Sequence, residues 1–457
     1  MEPMELEPAA LTGTGIPWAP PEPGWRVKVR TTGFYKLTHY ELFAADNGFG
    51  TPDPSILRMI NMGNEIAIRV VDQDANGLFD SADASDTDYI VFYGEAIDSK
   101  YTWDNVYWLT TSGSGDVKRI DTRDGTPGAG STPSSHTTNL HMEDNIYYFS
   151  NAPGDEDLER FFGAFIYPSY TPSWTKTFTL AAPSSGAAQM RLSMIGYLAH
   201  TISPDHHVRV MLNDEQIGEL YWDGVTWGNL VMPVRAGLLV AGTNTLVVTG
   251  VNDTGVGSDM LYIDEVDLDY PAAFTAVNDQ LAFKIDEAGS YLYQLNGFTT
   301  SQVEVYDVTN PADVEQIINP GISGSGPYSV SFSDVIGGAT QYLAKAGSTF
   351  LTVQGIETAD TASNLRDTAN GADHIIITPR AFWTQSETLR AYRAGQGLRA
   401  VKVDLQDVYD EFNYGIASAY AIRDFLEYTY NSWSKPSPSY VVLMGDGHYD
   451  AKNYENR

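Results

Sequence analysis

The chain has 457 residues, a net charge of −32 and no cysteine. At roughly 100–200 residues per domain, this length predicts about three or four domains. Such a strong negative charge repels phosphate backbones and argues against nucleic-acid binding. The absence of cysteine excludes disulfides, zinc–thiolate sites, iron–sulfur clusters and a cysteine nucleophile within these residues. No run of 18 apolar residues is present, so no membrane span is predicted.

The N-terminal segment, residues 1–23, is rich in proline and glutamate and has no basic stretch followed by an apolar one. It is therefore predicted to be a linker or a truncated leader, and not a signal peptide. The 28 tyrosines and nine tryptophans, together with few lysines, indicate a β-rich extracellular or cell-surface protein.

Three β regions are predicted in succession. Residues 24–140 contain short runs of alternating or apolar residues typical of strands, and residues 110–138, rich in Gly, Ser, Thr and Pro, are predicted to be a surface loop. Residues 141–271 contain several short strands separated by turns, the pattern of a β-sandwich or jelly roll. Residues 272–355 are predicted to form a smaller β domain.

The pattern changes in residues 356–457. Apolar strands at 374–378, 399–404 and 440–444 alternate with helices predicted at 386–397 and 418–433. Continuous apolar strands separated by helices indicate a parallel α/β sheet that is covered on both faces. Because three strands are few for such a domain, we expect this α/β domain to be partial.

The sharpest local motif is an Asp-rich loop that matches the spacing of a calcium-binding loop. Its predicted ligands supply oxygen atoms, Leu78 through its backbone carbonyl, and Gly77 allows the tight turn. The ligands are Asp72, Asp74, Asn76, Leu78, Asp80 and Asp83. Strands flank the loop, so a helical EF-hand is not expected, and the predicted role of Ca²⁺ is structural. The alternative interpretation is a plain turn between strands.

A second group of polar and aromatic residues lies in the sandwich region and is a candidate contact site for a sugar or a second cation. Its members are Asp205, His206, His207, Trp222, Trp227, Asn252, Asp253, Asp259 and Asp264. The stronger interpretation is that they are turn residues, a satisfied histidine pair and core aromatic residues.

Residues 445–450 follow the third apolar strand, at the edge where parallel sheets place their sites. Asp446 and His448 lie there without a nucleophile, and a tight glycine turn is the preferred interpretation. His374 begins an apolar strand and is predicted to be structural. The sequence contains no motif of a zinc metalloprotease, a serine hydrolase or a P-loop protein.

Five segments in order resemble the gingipain-like cysteine peptidases: 372–379, 392–399, 408–415, 421–426 and 439–450. Weaker similarity extends to 27–37, 90–94 and 306–311. The resemblance implies a caspase-like α/β domain in a secreted endopeptidase that acts on proteins through a His–Cys dyad. In the family that dyad lies on later strands, so it is expected beyond Arg457. No catalytic residue is assigned in this chain, and the chain alone is predicted to be inactive.

The alternative is a non-catalytic extracellular binding or adhesion module that uses its β-sandwich to recognise carbohydrate or a cell surface. Exposure of Trp222 beside Asp259 would favour this alternative.

Overall fold

The computed structural model describes residues 4–5 and 18–455, apart from residues 82, 84, 86, 156 and 359–362. Most of the predicted linker at residues 1–23 therefore lies outside the described residues. The predicted fold class is confirmed, because β sheets are followed by an α/β segment with parallel strands. Within the described residues, no helix is both long enough and apolar enough to cross a bilayer.

The N-terminal region consists of short strands and one helix. They are β1 (Met4–Glu5), β2 (Trp25–Val29), β3 (Gly33–Thr38), α1 (His39–Ala45), β4 (Arg58–Asn61), β5 (Asn64–Ile66), β6 (Ile68–Val71), β7 (Tyr89–Gly94), β8 (Ile97–Asp98), β9 (Asn105–Thr110) and β10 (Asp121–Asp124). The sandwich region follows with β11 (His136–Glu143), β12 (Tyr147–Tyr148), β13 (Phe161–Phe162), β14 (Ala164–Ile166), β15 (Ser173–Leu180), β16 (Ala188–Gly196), β17 (His206–Leu212), β18 (Glu215–Trp222), β19 (Trp227–Val234), β20 (Gly242–Gly250) and β21 (Leu261–Ala272).

The remaining elements change from strands to alternating strands and helices. The strands are β22 (Gln280–Ile285), β23 (Gly289–Phe298), β24 (Val303–Asp307), β25 (Glu315–Ile318), β26 (Gly321–Ser323), β27 (Tyr328–Ile336), β28 (Thr340–Ala346) and β29 (Gly355–Thr358). The α/β segment contains β30 (His374–Thr378), α2 (Trp383–Gly395), β31 (Ala400–Asp404), α3 (Leu405–Phe412), α4 (Ala419–Ser432) and β32 (Tyr440–Leu443).

Two sheets enclose the N-terminal core. One has the order β29-β2-β9-β4-β5 and the other β3-β7-β6. Apolar side chains that alternate along these strands meet between the sheets, and Phe79 from the Asp-rich loop is fully buried among them. The conformation of that loop is therefore coupled to the core.

The sandwich packs β15-β20-β17-β18 against β11, β21, β16 and β19 of a larger, ten-stranded sheet. That sheet continues through β22, β28, β24 and β25 to β10. Strand pairing therefore connects residues on both sides of the domain boundaries predicted at residues 140, 271 and 355. These boundaries remain predictions.

The segment 110–138 was expected to be a surface loop, and this expectation is wrong in part. It contains β10, which pairs in parallel with β25. The Arg123 side chain holds this edge strand in place, because its guanidinium lies 2.8 Å from carboxylate oxygens of both Asp307 and Asp334 and also contacts Glu315.

The α/β segment is a parallel sheet with the order β31-β30-β32. The Asp404 side chain accepts the backbone N–H of Gln406 at the start of α3, and the Ser418 side chain caps α4 in the same way. Strand β30 is buried throughout, whereas the edge strand β32 leaves Tyr440 58% and Leu443 61% exposed.

The end of α3 and the turn that follows pack against the N-terminal sheet. The indole N–H of Trp108 donates to the carbonyl of Tyr414 (2.7 Å), and that of Trp18 donates to the carbonyl of Asp410 (2.7 Å). A buried ion pair joins the Arg26 guanidinium to the Asp410 carboxylate across this contact. The β and α/β parts are therefore joined by specific, buried polar contacts.

Candidate functional site

The Asp-rich loop between β6 and β7 folds back on its own backbone. Asp72 accepts the N–H of Gly77 (2.9 Å), and Asp74 accepts the N–H of Asn76 (3.1 Å). The amide of Gly77 holds the pKa of Asp72 below its usual range. Gly77 has a φ of +83°, a conformation that glycine adopts without steric cost.

The structure brings three carboxylates of this region together. Asp72, Asp74 and Asp88 each place an oxygen within 4.8 Å of the others, and the Asn76 amide donates to Asp74 (2.9 Å) and Asp80 (3.2 Å). Asp83 instead accepts the N–H of Ser85 (2.7 Å) and is outside this group of described residues.

Asp88 is the member of this carboxylate group that the calcium-loop spacing does not include. It is 3% exposed and accepts the backbone N–H groups of Gln73 (2.7 Å) and Asp80 (3.0 Å). The available signal was its position: it is the last aspartate before the apolar strand β7. The calcium-loop spacing ends five residues earlier, at Asp83.

The loop is also tied to its surroundings. The N–H of Phe79 donates to the Pro52 carbonyl (2.8 Å), and the buried His39 ring contacts the Ser81 hydroxyl (2.9 Å) and the Gly50 carbonyl (2.7 Å). A change in the carboxylate group would therefore reach the N-terminal core. Leu78 has an exposed side chain, and its N–H donates to the Asn76 side chain (2.7 Å).

In the second candidate group, His206, Trp222 and Asp259 pack against one another and do not form an open binding surface. His206 bonds to Asp259 (2.5 Å), and the Trp222 ring stacks on His206 with 4.7 Å between ring centroids. Asp259 is 3% exposed, and the Trp227 indole donates to the Pro153 carbonyl (2.8 Å). These residues form the satisfied histidine pair and packed aromatic residues of the stronger interpretation.

The turn after β32 is closed by its own hydrogen bonds. The Asp450 N–H donates to His448 Nδ1 (3.1 Å), and the buried Asp450 carboxylate accepts the N–H groups of Tyr454 and Glu455 (both 2.8 Å). Within the described residues, no hydrogen bond joins Asp446 to His448. The geometry is that of a tight turn and not of a catalytic pair.

His374, predicted to be structural, is buried at the start of β30. Desolvation lowers the pKa of its imidazole, so the ring is neutral inside the sheet. Its ring lies 6.1 Å from that of Tyr440 on the neighbouring strand.

Lys452 fixes the turn after β32 to the β regions. Its side chain is 1% exposed, and its ammonium lies 2.8 Å from both Asp98 and Glu159 and 3.8 Å from the centre of the Trp103 ring. A cavity of about 180 Å³ beside it is lined by aromatic side chains, including that of Tyr148. The carboxyl edge of the parallel sheet therefore faces the β regions.

The comparisons with known proteins agree with this architecture. Residues 367–456 match the sequence model of peptidase family C25. The crystal structure of dimeric latent PorU from Porphyromonas gingivalis superposes with a TM-score of 0.67 at 16% sequence identity. The superposition covers 94% of this chain and 42% of that one, so the chain spans less than half the length of PorU. The curated proteins gave no match.

Two carbohydrate-binding modules match the chain only in part. One is the CBM36-1 domain of a xylanase from the hindgut metagenome of Trinervitermes trinervoides (TM-score 0.20, 15% identity, 29% of this chain and 95% of that one). The other is a CBM36 in complex with calcium and xylotriose (TM-score 0.19, 14% identity, 29% and 98%). At these TM-scores the likeness says nothing about what this chain binds. The predicted resemblance to the gingipain-like cysteine peptidases is confirmed, with residues 367–456 matching peptidase family C25 and the chain sharing the multidomain fold of PorU.

Proposed function

We propose that this chain is the N-terminal portion of a secreted, extracellular gingipain-like cysteine endopeptidase that cleaves proteins in its full-length form. The family C25 match over residues 367–456 is the observation that carries this proposal, and the parallel order β31-β30-β32 supports it. The proposal includes a caspase-like peptidase domain, of which these three strands are the first part.

The exposure of β32 also supports a partial sheet. Tyr440 is 58% and Val441 43% exposed. Because neighbouring residues of a strand point to opposite faces, both faces of this edge strand are uncovered. A further strand pairing with β32 in the full-length protein would remove the exposed edge, which is otherwise prone to aggregation.

The proposed chemistry requires a thiolate, which these 457 residues do not contain. A cysteine peptidase attacks the scissile carbonyl with a thiolate, a histidine transfers protons, and backbone amides stabilise the oxyanion. The chain has no cysteine, and His448 is held in the turn by the Asp450 N–H. The His–Cys dyad is accordingly placed beyond Arg457, and the chain alone is expected to be inactive.

A peptidase assay tests this expectation. The purified chain is incubated with a library of quenched fluorogenic peptides, in parallel with the variant His448→Ala. We expect no turnover above buffer with either protein. Turnover that co-purifies with the chain and disappears in His448→Ala would show that His448 is catalytic, and would refute the assignment of the dyad to later residues.

We further propose that the Asp-rich loop binds a structural Ca²⁺ ion. The donor set fits a hard cation, since Asp72, Asp74 and Asp88 offer carboxylate oxygens within 4.8 Å of one another. Asn76, Leu78 and Asp80 of the predicted set lie on the same turn. Leu78 would contribute its backbone carbonyl and Asp80 its carboxylate. Bound calcium would offset the repulsion among the carboxylates and order the loop, which enters the core through Phe79.

Thermal unfolding with and without calcium tests this second proposal. A ligand present at a hundredfold excess over its dissociation constant stabilises the folded state by about 2.7 kcal/mol. We expect EDTA to lower the melting temperature and Ca²⁺ to restore it. Equal melting temperatures in EDTA and in millimolar Ca²⁺ would refute calcium binding.

The alternative of a glycan-binding module lacks the exposed tryptophan on which it depended. The Trp222 ring lies against His206, and Asp259 is buried beneath the same contact.

A further inference from the structure

Two consecutive histidines on β17 are completely buried at one end of the sandwich. His206 and His207 are both 0% exposed. Because successive side chains of a strand point to opposite faces, the two rings enter different surroundings. His206 stacks on Trp222, and His207 stacks on Tyr221 with 3.8 Å between ring centroids. We refer to His206 and His207 as the histidine pair.

Both ring nitrogens of His206 face hydrogen-bond acceptors. Nδ1 lies 2.5 Å from an oxygen of Asp259, and Nε2 lies 3.0 Å from the carbonyl of Gly224 and 3.4 Å from Asp205. A backbone carbonyl carries no proton to donate. A neutral imidazole has only one N–H group and would leave two lone pairs facing each other. With Asp259 as a carboxylate, which can only accept, the doubly protonated imidazolium satisfies both contacts.

The same count holds for His207. Nδ1 lies 2.7 Å from Asp253 and Nε2 lies 2.8 Å from Glu219. Glu219 also accepts a hydrogen bond from Arg209 (3.0 Å), and this bond holds the pKa of Glu219 below its usual range. Glu219 is thus ionised and acts only as an acceptor. His207 must therefore donate from both nitrogens as well.

Four of the acceptors come from three loops at one end of the sandwich, and the fifth, Glu219, lies on β18. Asp205 ends the β16–β17 loop, Gly224 lies in the β18–β19 loop, and Asp253 and Asp259 lie in the β20–β21 loop. Asp205 also accepts the N–H of Gly224 (2.8 Å), which links two of these loops directly. The histidine pair therefore stands between all three loops.

The buried carboxylate of Asp259 requires a positive charge on His206 to balance it. Its second carboxylate oxygen is buried and has no hydrogen-bond partner among the described residues. An ionised carboxylate in that position is costly unless a neighbouring cation balances it. Burial acts to lower the pKa of His206, but the bond to Asp259 and the charges of Asp259 and Asp205 outweigh it and raise the pKa.

We propose that the histidine pair is a proton-dependent lock, doubly protonated at neutral pH, that holds the three loops together and releases them as the solution becomes alkaline. Asp205, Asp259, Asp253 and Glu219 are the charged groups facing the rings, with Arg209 behind Glu219. Tyr221 is neutral in this range, because burial raises its pKa. Loss of a proton from either ring sets acceptor against acceptor and leaves a carboxylate without its counter-charge.

The direction of the pH dependence follows from the higher proton affinity of the folded state. The stabilisation is fully present below about pH 6.5, the ordinary pKa of histidine, and is lost as the pH rises through the folded-state value. Within that window, deprotonation of His206 lowers the folding equilibrium constant by about tenfold per pH unit. Most proteins with buried neutral histidines behave in the opposite way, losing stability on acidification.

Nitrogen NMR of the histidine side chains tests the proposal directly. The 457-residue chain contains eight histidines, and the variants His206→Gln and His207→Gln assign the two signals of the pair. At pH 7.5 we expect both nitrogens of both rings in the protonated chemical-shift range. A neutral tautomer for either ring at that pH would overturn the proposal.

Thermal unfolding between pH 6.5 and 9.5 supplies an independent measurement that does not depend on the assignment. The wild-type chain should lose stability over this range, and His206→Gln should lose less. If His206→Gln does not fold, the nitrogen NMR of the wild-type chain decides alone. His136→Gln is the control, because burial lowers the pKa of His136 and the pair is untouched. An identical pH profile for wild type and a folded His206→Gln would refute the lock.

Discussion

The variant Arg26→Met should separate the N-terminal sheet from α3 by removing the buried ion pair between them. The Arg26 and Asp410 side chains are only 8% and 6% exposed, and the second Asp410 oxygen accepts the amide of Gln406 (2.9 Å). Truncating one partner of a buried pair leaves an uncompensated charge and costs about 3–5 kcal/mol. For a cooperative unit of about 150–250 residues this corresponds to a melting temperature lower by roughly 6–20 °C.

The cost should depend on the charge left at Asp410. Burial raises the pKa of Asp410, so the carboxyl group of Arg26→Met can take up a proton on mild acidification. The variant should therefore recover part of its lost stability as the pH falls. The double variant Arg26→Met/Asp410→Asn should be more stable than Arg26→Met alone, since it carries no buried charge at this position.

Urea unfolding followed by tryptophan fluorescence measures these differences, because Trp108 lies 5.7 Å from the Arg26 guanidinium. Arg30→Met is the matched control: its partner Asp104 is 2.5 Å away, but Arg30 is 47% exposed. A surface pair contributes at most about 1 kcal/mol. If Arg26→Met destabilises no more than Arg30→Met, the buried pair does not join the two parts.

Three further variants test other contacts. Asp88→Asn should weaken calcium binding, measured by calorimetric titration, more than Asp83→Asn does. The reverse order would show that Asp83 is the ligand, as in the set predicted from sequence. Burial, with help from neighbouring acids, raises the pKa of Asp264 to about 7, so stability should fall as the pH rises from about 4 to 7, and Asp264→Asn should flatten this fall in melting curves. Lys452→Met leaves Asp98 and Glu159 without their buried counter-charge, and limited proteolysis should then cleave the turn after β32 faster; an unchanged rate would contradict its anchoring role.

Local sequence pattern was sufficient to predict those elements whose burial depends on a run of neighbouring residues. The continuous apolar run of β30 predicted a fully buried parallel strand, and every residue of that strand is buried. The helix predicted at 418–433 likewise corresponds to α4, Ala419–Ser432. These features depend on neighbours in sequence, so one chain is enough to recognise them.

Long-range contacts account for what the sequence did not show. Strand β10 has no apolar pattern, and its place in the sheet depends on ion pairs from Arg123 to residues almost 200 positions away or more. Helix α3 (Leu405–Phe412) lies outside the two helices predicted from the sequence. Asp88 joined the carboxylate group only through the fold of the loop, and the partial burial of Trp222 followed from the position of His206 on the neighbouring strand.

The most direct test of the proposed function is the nucleotide sequence that follows the codon for Arg457. We expect the reading frame to remain open through further strand-and-helix segments and to encode a histidine and then a cysteine that complete the dyad. The encoded longer protein should hydrolyse protein substrates and lose this activity when that cysteine is replaced by alanine. A stop codon directly after Arg457, or a longer protein without such a cysteine, would contradict the assignment of this chain to an active peptidase.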